Sequence, residues 1–517
     1  MARRLAVAPA RLIASRSAAH LLAVAGLLAL LFALRVHRPL EMPIFVDESL
    51  HILRGRVVWQ FSDLGESLNP KKLLFYYWIG LFGLNAPEAA WLARAATALW
   101  APLGGALTYA LARRLFAPGA GLLALALYAL APPLVFFERL ALADAFTASI
   151  GVALAIAALR LASRPAFGRG LIAGALLGAA ALAKLIALPL GALIPLAIAL
   201  RQPDRGRAVL APRFRRPLIA VGLGCFLVLA PVLAYLLAQA AGWAPVRVVV
   251  EEELYSAGDR AAQIAGNIEQ AARALITLLS PGWIALAGLL AVALARWRPR
   301  ALAYLAAGAL LPWIGVVLIA GQLSTRYLVL GVPFLLALVA GGVIELTGRA
   351  RPAAWAAWIA LGLWALAFAG PFARQAMTDP AALDLPARDR WEYVTNTSSG
   401  YALRDLARDL PDLPPGADGR IAVIGWLPAC HTLPLYWTAP NAVALDCPLF
   451  RWDPSAQDAM TARLIGLAER ESPLYMAVER LSVYDLDRLP FTWTLLREYA
   501  RPHDGAPVRL YRVALAE

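Results

Sequence analysis

Long apolar runs alternate along the chain with short loops rich in arginine. Runs near or above the ~20 residues that a helix needs to cross hydrocarbon fall at roughly 19–37, 89–112, 119–137, 141–160, 170–183, 186–200, 217–241, 281–296, 301–320, 327–347 and 353–371. The pattern predicts a polytopic α-helical membrane protein with about 11 transmembrane helices. None of the runs shows the alternation of a porin-type strand, which excludes an outer-membrane barrel. Residues 170 to 200 form one apolar stretch broken by Lys184 and Pro189. At ~1.5 Å per residue it is too long for one crossing of ~30 Å and short for two. Arginine-rich loops flank both its ends, so the chain crosses an even number of times. That places Lys184 at a tight outer turn between two short helices.

After the last run the pattern changes, as Asp, Glu and Pro rise and apolar segments shorten to strand length. RIAVIGW (420–426), NAVALDC (441–447), PLYMAVE (473–479) and VRLYRVA (508–514) read as strands alternating with helical segments at 400–410 and 455–470. The second helix opens with Asp453-Pro454, a cap followed by proline at the first helical position. This alternation predicts a soluble α/β layer domain over 372–517, beside a transmembrane domain over 1–371. The first outer loop, 38–88, carries interfacial helices. In SLHILRGRVVWQF the residues Leu50, Leu53, Val57 and Phe61 recur at 3, 4, 4 spacing, an amphipathic helix lying on the membrane surface.

Composition agrees: 61% of the 517 residues are hydrophobic and only 16% are charged. The net charge of +14 is not a nucleic-acid footprint. Before Pro371 stand 33 basic against 15 acidic residues, and after it 15 against 19. The excess sits in loops such as Arg113-Arg114, Arg160 to Arg169, Arg201 to Arg216, Arg296 to Arg300 and Arg349 to Arg351, where Asp204 is the one acid. The positive-inside rule turns these loops to the cytoplasm, with the N-terminus inside and the C-terminal domain extracytoplasmic. LLAVAGLLALLFALRV is long for a signal-peptide core and lacks a small-residue cleavage site after it, so it reads as the first span. The Arg and Ala bias suggests a GC-rich genome and hence a bacterial plasma membrane. Of three cysteines, Cys225 lies in a span; Cys430 and Cys447 share the outer domain, where a disulfide is open by compartment.

Polar residues gather on the outer connections. Asp47 and Glu48 head the interfacial helix, as a first-turn acid pair stabilised by the macrodipole or as a catalytic carboxylate. His51 shares a helical face with Asp47, orienting it or sitting at the headgroup level. Only Lys71, Lys72 and Lys184 among 48 basic residues are lysines, and all three fall on outer connections. A compact ammonium suits a phosphate oxygen, against a snorkelling alternative for Lys71 and Lys72. Glu138, Arg139 and Asp144 stand among apolar neighbours, where charges require pairing or a wet cavity. Asp144 caps a helix or belongs to the site; Arg94 and Arg326 snorkel or point into a cavity. The outer segment 242–280 carries Arg247, the triplet Glu251 to Glu253, Asp259 and Arg260, read as a solvated face more than a cation site. A carboxylate base and cations converging under the outer domain would suit group transfer with a phosphate leaving group.

The order of VDESLH, KKLLFYYW with Lys72 six residues before Trp78, WLARAAT, RLALADAFTAS, LAKLIALP, STRYLVL and DRWEYVTNTSSGYALRDLARDL resembles the type C glycosyltransferases. The likeness is to the protein O-mannosyltransferase and lipid A aminoarabinose transferase-like branch. It implies inverting transfer of a sugar from a polyprenyl-phosphate carrier to a protein, lipid or glycan acceptor on the outer face, with residues 1–371 as the catalytic domain. On that resemblance Asp47 matches the catalytic base and Glu48 completes the acid pair. Lys72, Arg94, Lys184 and Arg326 match positions that hold the donor phosphate, and Asp144 matches a second acid beside the site. His51, Lys71, Arg139 and Tyr327 join the substrate-binding set. Lys71 stands where the aminoarabinose branch has an acid linked to metal binding, so no metal is carried across; a divalent cation stays open and no other cofactor is implied. A multi-span lipid or solute transporter is the rival reading, but it more often shows internal repeats, and none is visible here.

Overall fold

The computed structural model describes residues 7–201, 209, 211–243, 260–321, 323–416, 419–425, 429–437, 443–447, 457–479 and 489–516. The acid triplet Glu251 to Glu253, with Arg247 and Asp259, lies outside them, as does Asp453-Pro454. The chain divides into two compact units. One comprises Met1–Pro39, Val58–Trp78 and Arg94–Thr378; the other comprises Leu40–Val57, Ile79–Ala93 and Asp379–Glu517.

The first unit is helical. Among the described residues seven helices are long and apolar enough to cross a membrane: Ala18–Val36, Ala89–Leu115, Ala143–Ser163, Pro212–Ala240, Pro299–Ile319, Val332–Arg349 and Arg351–Thr378. An eighth span results if Arg260–Leu279 and Pro281–Trp297, bent by 103° at their junction, are taken together. The predicted count of eleven is therefore not reached by length. The other predicted runs fall on helices cut short at identifiable breaks. Pro118–Leu130 stops before Pro132-Pro133, and Phe167–Ala183 stops at Lys184, whose extended backbone gives way to a 3-10 stretch, Leu185–Ala192. Proline removes an i to i−4 bond and clashes with the preceding turn, which accounts for the first break.

The short helix Phe167–Ala183 packs by close backbone approach. A Cβ on Gly170 would strike the carbonyl oxygen of Pro217, and one on Gly174 that of Val221, both on Pro212–Ala240. Small residues four apart let two helices meet without side chains between them, which suits a chain that cannot rely on hydrophobic expulsion inside lipid.

The second unit contains a five-stranded sheet of order β2-β1-β3-β5-β4. Its strands are β1 (Ile421–Ile424), β2 (Val443–Asp446), β3 (Leu474–Val478), β4 (Phe491–Arg501) and β5 (Gly505–Leu515). β1 pairs parallel with β2 and β3, while β5 pairs antiparallel with β3 and β4. Side-chain alternation builds a core on each face. Ile421, Val423, Tyr475 and Leu510 pack with Leu403 and Leu406 of the helix Tyr401–Asp409; Ala422, Ile424, Met476 and Val513 pack with Leu464 and Leu467 of Gln457–Arg470. The α/β domain read from the sequence is thus present, with β4 as an added strand.

Cys430 and Cys447 form a disulfide closing a separation of 17 residues. A loop of this size adds about 3 kcal/mol by restricting the unfolded chain. Replacing both cysteines by serine is expected to lower the denaturation midpoint of this unit accordingly, read by the fluorescence of its tryptophans. His431, beside the bridge, is buried, and burial holds its imidazole below the usual range. The unfolded chain takes up the proton near pH ~6.5 whereas the fold does not. Stability of this unit is therefore expected to fall as the pH drops below that value, and His431→Gln is expected to flatten the dependence.

Candidate active site

In the helical unit, helix and loop breaks deliver charged side chains into apolar surroundings. Asp144 lies in the first turn of Ala143–Ser163, and Leu142 occupies the cap position, so its carboxylate does not cap the helix. It forms an ion pair with the Nζ of Lys184, the residue at the break after Phe167–Ala183. The ammonium also lies 4.2 Å from the centre of the Tyr327 ring, and the Arg326 guanidinium lies 5.5 Å from the same ring. Tyr327 and Arg326 belong to the 3-10 turn Thr325–Leu330. Asp144 is 1% exposed and Lys184 8%. Three segments far apart in sequence thus bring together a carboxylate, two cations and a phenol, with Asp144 and Lys184 buried and Arg326 and Tyr327 half-buried.

The other candidates of this unit are placed differently. Arg139 donates to three backbone oxygens, those of Leu34 at 2.9 Å, His37 at 2.8 Å and Arg38 at 2.9 Å. These carbonyls end the helix Val7–Val36, where a cation satisfies groups left without an intrahelical partner. Arg139 therefore does structural work here. Arg94, buried, donates to the Pro39 carbonyl at 2.6 Å. Lys71 and Lys72 are half-buried in the turn before Leu73–Gly80, where Lys72 adopts a left-handed φ of 53° and its carbonyl accepts from Phe75 and Tyr76. A non-glycine residue held in that region stores strain, of the sort that clusters at functional sites.

Glu138, flanked by apolar residues in the sequence, finds its partner in Arg35. The guanidinium Nε donates to its Oε2 at 2.7 Å, and the Tyr128 hydroxyl donates to Oε1 at 2.5 Å. Arg35 also donates to the carbonyls of Ala129 and Tyr128. Sequence reading did not single out Arg35; its only signal is an arginine in the last turn of an apolar helix.

In the second unit, Asp47 and Glu48 occupy the first turn of Val46–Val57. Glu48 is fully buried and its Oε2 accepts the Phe45 amide at 2.9 Å, half of a capping box. Asp47 is half-buried and His51, one turn on, is buried. The entry to this helix is strapped down from far along the chain. Ile44 N–H donates to the Tyr436 hydroxyl at 2.7 Å, and Val46 N–H to the Ser398 carbonyl at 3.0 Å. Gly400 leaves the room: a Cβ there would meet the Ile44 carbonyl. Tyr436→Phe leaves a buried amide without its acceptor, at a cost of about 1–3 kcal/mol. Faster hydrogen exchange of the Ile44 amide is the expected result, and unchanged exchange would remove Tyr436 as the anchor.

Among the described residues no group of three or more His, Cys, Asp or Glu side chains is placed to hold a metal ion. A family model described as dolichyl-phosphate-mannose-protein mannosyltransferase matches residues 71–235, the stretch that carries Lys71, Lys72, Arg94, Arg139, Asp144 and Lys184. No curated protein matches the chain by sequence. ArnT from Cupriavidus metallidurans in the apo state superposes with a TM-score of 0.60 at 16% identity, over 97% of this chain and 99% of that one. Bound to undecaprenyl phosphate, it does so with a TM-score of 0.59 at 18% identity, over 96% and 98%. The fold is the ArnT fold. The oligosaccharyltransferase of Archaeoglobus fulgidus, in complex with Zn and sulfate, is similar at a TM-score of 0.51 and 12% identity over 96% of this chain and 73% of that one. The chain resembles the protein O-mannosyltransferase and ArnT-like branch of the type C glycosyltransferases, as its motifs indicate. It is an integral membrane protein.

Proposed function

We propose that the protein transfers a sugar from a polyprenyl-phosphate carrier to an acceptor on the outer face of a bacterial plasma membrane, with inversion at the anomeric carbon. The observation that carries this reading is the cluster of buried Lys184 and Asp144 with half-buried Arg326 and Tyr327. Lys184 and Arg326, with Lys72, neutralise the phosphate. Asp144 and the Tyr327 ring hold the ammonium aligned in the absence of substrate, so that little reorganisation is needed when the phosphate arrives. Asp47 is the general base. It takes the proton of the acceptor hydroxyl as that oxygen attacks the anomeric carbon from the side opposite the phosphate. The carbon–oxygen bond to phosphate breaks and the lipid phosphate departs as an anion, which needs charge stabilisation and no general acid. A single displacement of this kind inverts the configuration.

The test is incubation of the purified protein with radiolabelled polyprenyl-phosphate sugars and a membrane extract. Movement of label to a product of opposite anomeric configuration is expected. Binding of carrier with no transfer from any donor would overturn the proposal in favour of a transporter.

A further inference from the structure

The end of the helical unit away from Asp144 holds a second charged feature. A cavity of about 650 Å³ lies among the ends of Ala101–Leu115, Ala143–Ser163 and Leu193–Arg201 and the turn between Pro281–Trp297 and Pro299–Ile319. Arg114, Arg201, Arg298 and Arg300 line it, and among the described residues no Asp or Glu does. Arg298 is neutralised by Glu345 at 2.7 Å, which also takes Arg349. Among the described residues the other three form no ion pair. Arg114 donates to the Ser163 hydroxyl at 3.1 Å and the Leu159 carbonyl at 3.4 Å, and Arg201 donates to the same hydroxyl. These acceptors are uncharged. Arg300 forms no hydrogen bond or ion pair among the described residues. The exposed guanidinium charges of these three share one cavity and repel one another, which the helix C-termini facing it, about half a charge each, partly offset.

Beside the Ser163 and Tyr304 side chains the lining carries an apolar wall of Leu115, Leu159 and Leu200, together with Trp297, a residue type enriched at membrane interfaces. We propose that this cavity binds the headgroup of an anionic phospholipid, its phosphate among Arg114, Arg201 and Arg300 and the start of its acyl chains along the leucines. A soluble phosphate ion would gain nothing from that wall. The volume falls within the ~300–1,000 Å³ of ligand sites, and basic pockets between membrane helices recognise anionic headgroups in this way. The cavity is distinct from the cluster around Lys184. Asp144 opens the 21-residue helix whose other end supplies Ser163, so the two are separated by about 30 Å of helix.

The full-length protein, released from nanodiscs of phosphatidylglycerol or of phosphatidylcholine, is examined by native mass spectrometry. Saturable retention of phosphatidylglycerol is expected. Arg300→Gln, which breaks no contact of the fold, weakens it about fivefold, and Arg114→Gln with Arg201→Gln weakens it further, at roughly one such step per charge. Equal retention by Arg300→Gln, or equal retention of phosphatidylcholine, overturns the proposal. So does displacement by inorganic phosphate, which would assign a free anion, or by polyprenyl phosphate, which would assign a second carrier site.

Discussion

Asp47→Asn lowers the rate of sugar transfer by about 10²–10⁴-fold, the range a positioned general base supplies, while the protein remains folded. The two effects separate because the side chain has two possible contributions of unequal size. As an acid in the first turn of Val46–Val57 it contributes about 0.3–1 kcal/mol through the helix dipole. Asparagine is isosteric and forfeits no more than that. As a base it is irreplaceable, since an amide does not accept the proton of an attacking hydroxyl at neutral pH. Glu48 provides the contrast. Its Oε2 accepts the Phe45 amide inside the protein, and glutamine at 48 retains an acceptor for that bond. Glu48→Gln should therefore fall well short of Asp47→Asn in its effect on turnover. The measurement pairs label transfer with a thermal midpoint for each variant. Turnover preserved in Asp47→Asn would leave Asp47 as a helix-start acid and nothing more.

What the sequence reveals here depends on the distance over which each feature is determined. β1 and β3 are legible because central strands covered on both faces read as unbroken apolar runs, IAVI and LYMAV. β4 is not: its outward face is exposed, and register shifts at Leu495/Arg497 and Tyr499/Arg501 break the period-two signal. The helix run over 170–200 was legible as interrupted, because a lone lysine and a proline in an apolar stretch have local consequences. That Lys184 meets Asp144 and Tyr327 is a property of the packed bundle. The Ile44–Tyr436 bond spans 392 residues and Arg35–Glu138 spans 103, and no local pattern encodes either. Arg139 shows the converse limit. Its type and its place next to an apolar junction are those of a phosphate ligand, yet the carbonyls it meets belong to the end of the first helix.

Lys184→Met destabilises the helical unit by about 3–5 kcal/mol, because it strands the Asp144 carboxylate in a buried site without its cation. It also weakens binding of polyprenyl phosphate by about 10- to 100-fold. Neither result alone distinguishes a ligand of the donor from half of a structural ion pair. The double variant Lys184→Met with Asp144→Asn does. Removing both charges leaves two neutral groups of similar volume, and such replacements are often neutral for stability. The thermal midpoint should therefore return close to that of the parent. Carrier binding should not return, since the missing ammonium is worth about 1.5–3 kcal/mol as a charged hydrogen-bond donor to the phosphate, and the contact of the cation with the Tyr327 ring is lost as well. Asp144→Asn alone completes the cycle. It leaves the ammonium over the ring with less to hold it, and should cost stability while weakening carrier binding far less than Lys184→Met does. A double variant that recovered both stability and carrier binding would make the pair a purely structural one, and the phosphate would then have to be held by Arg326 and Lys72 without it.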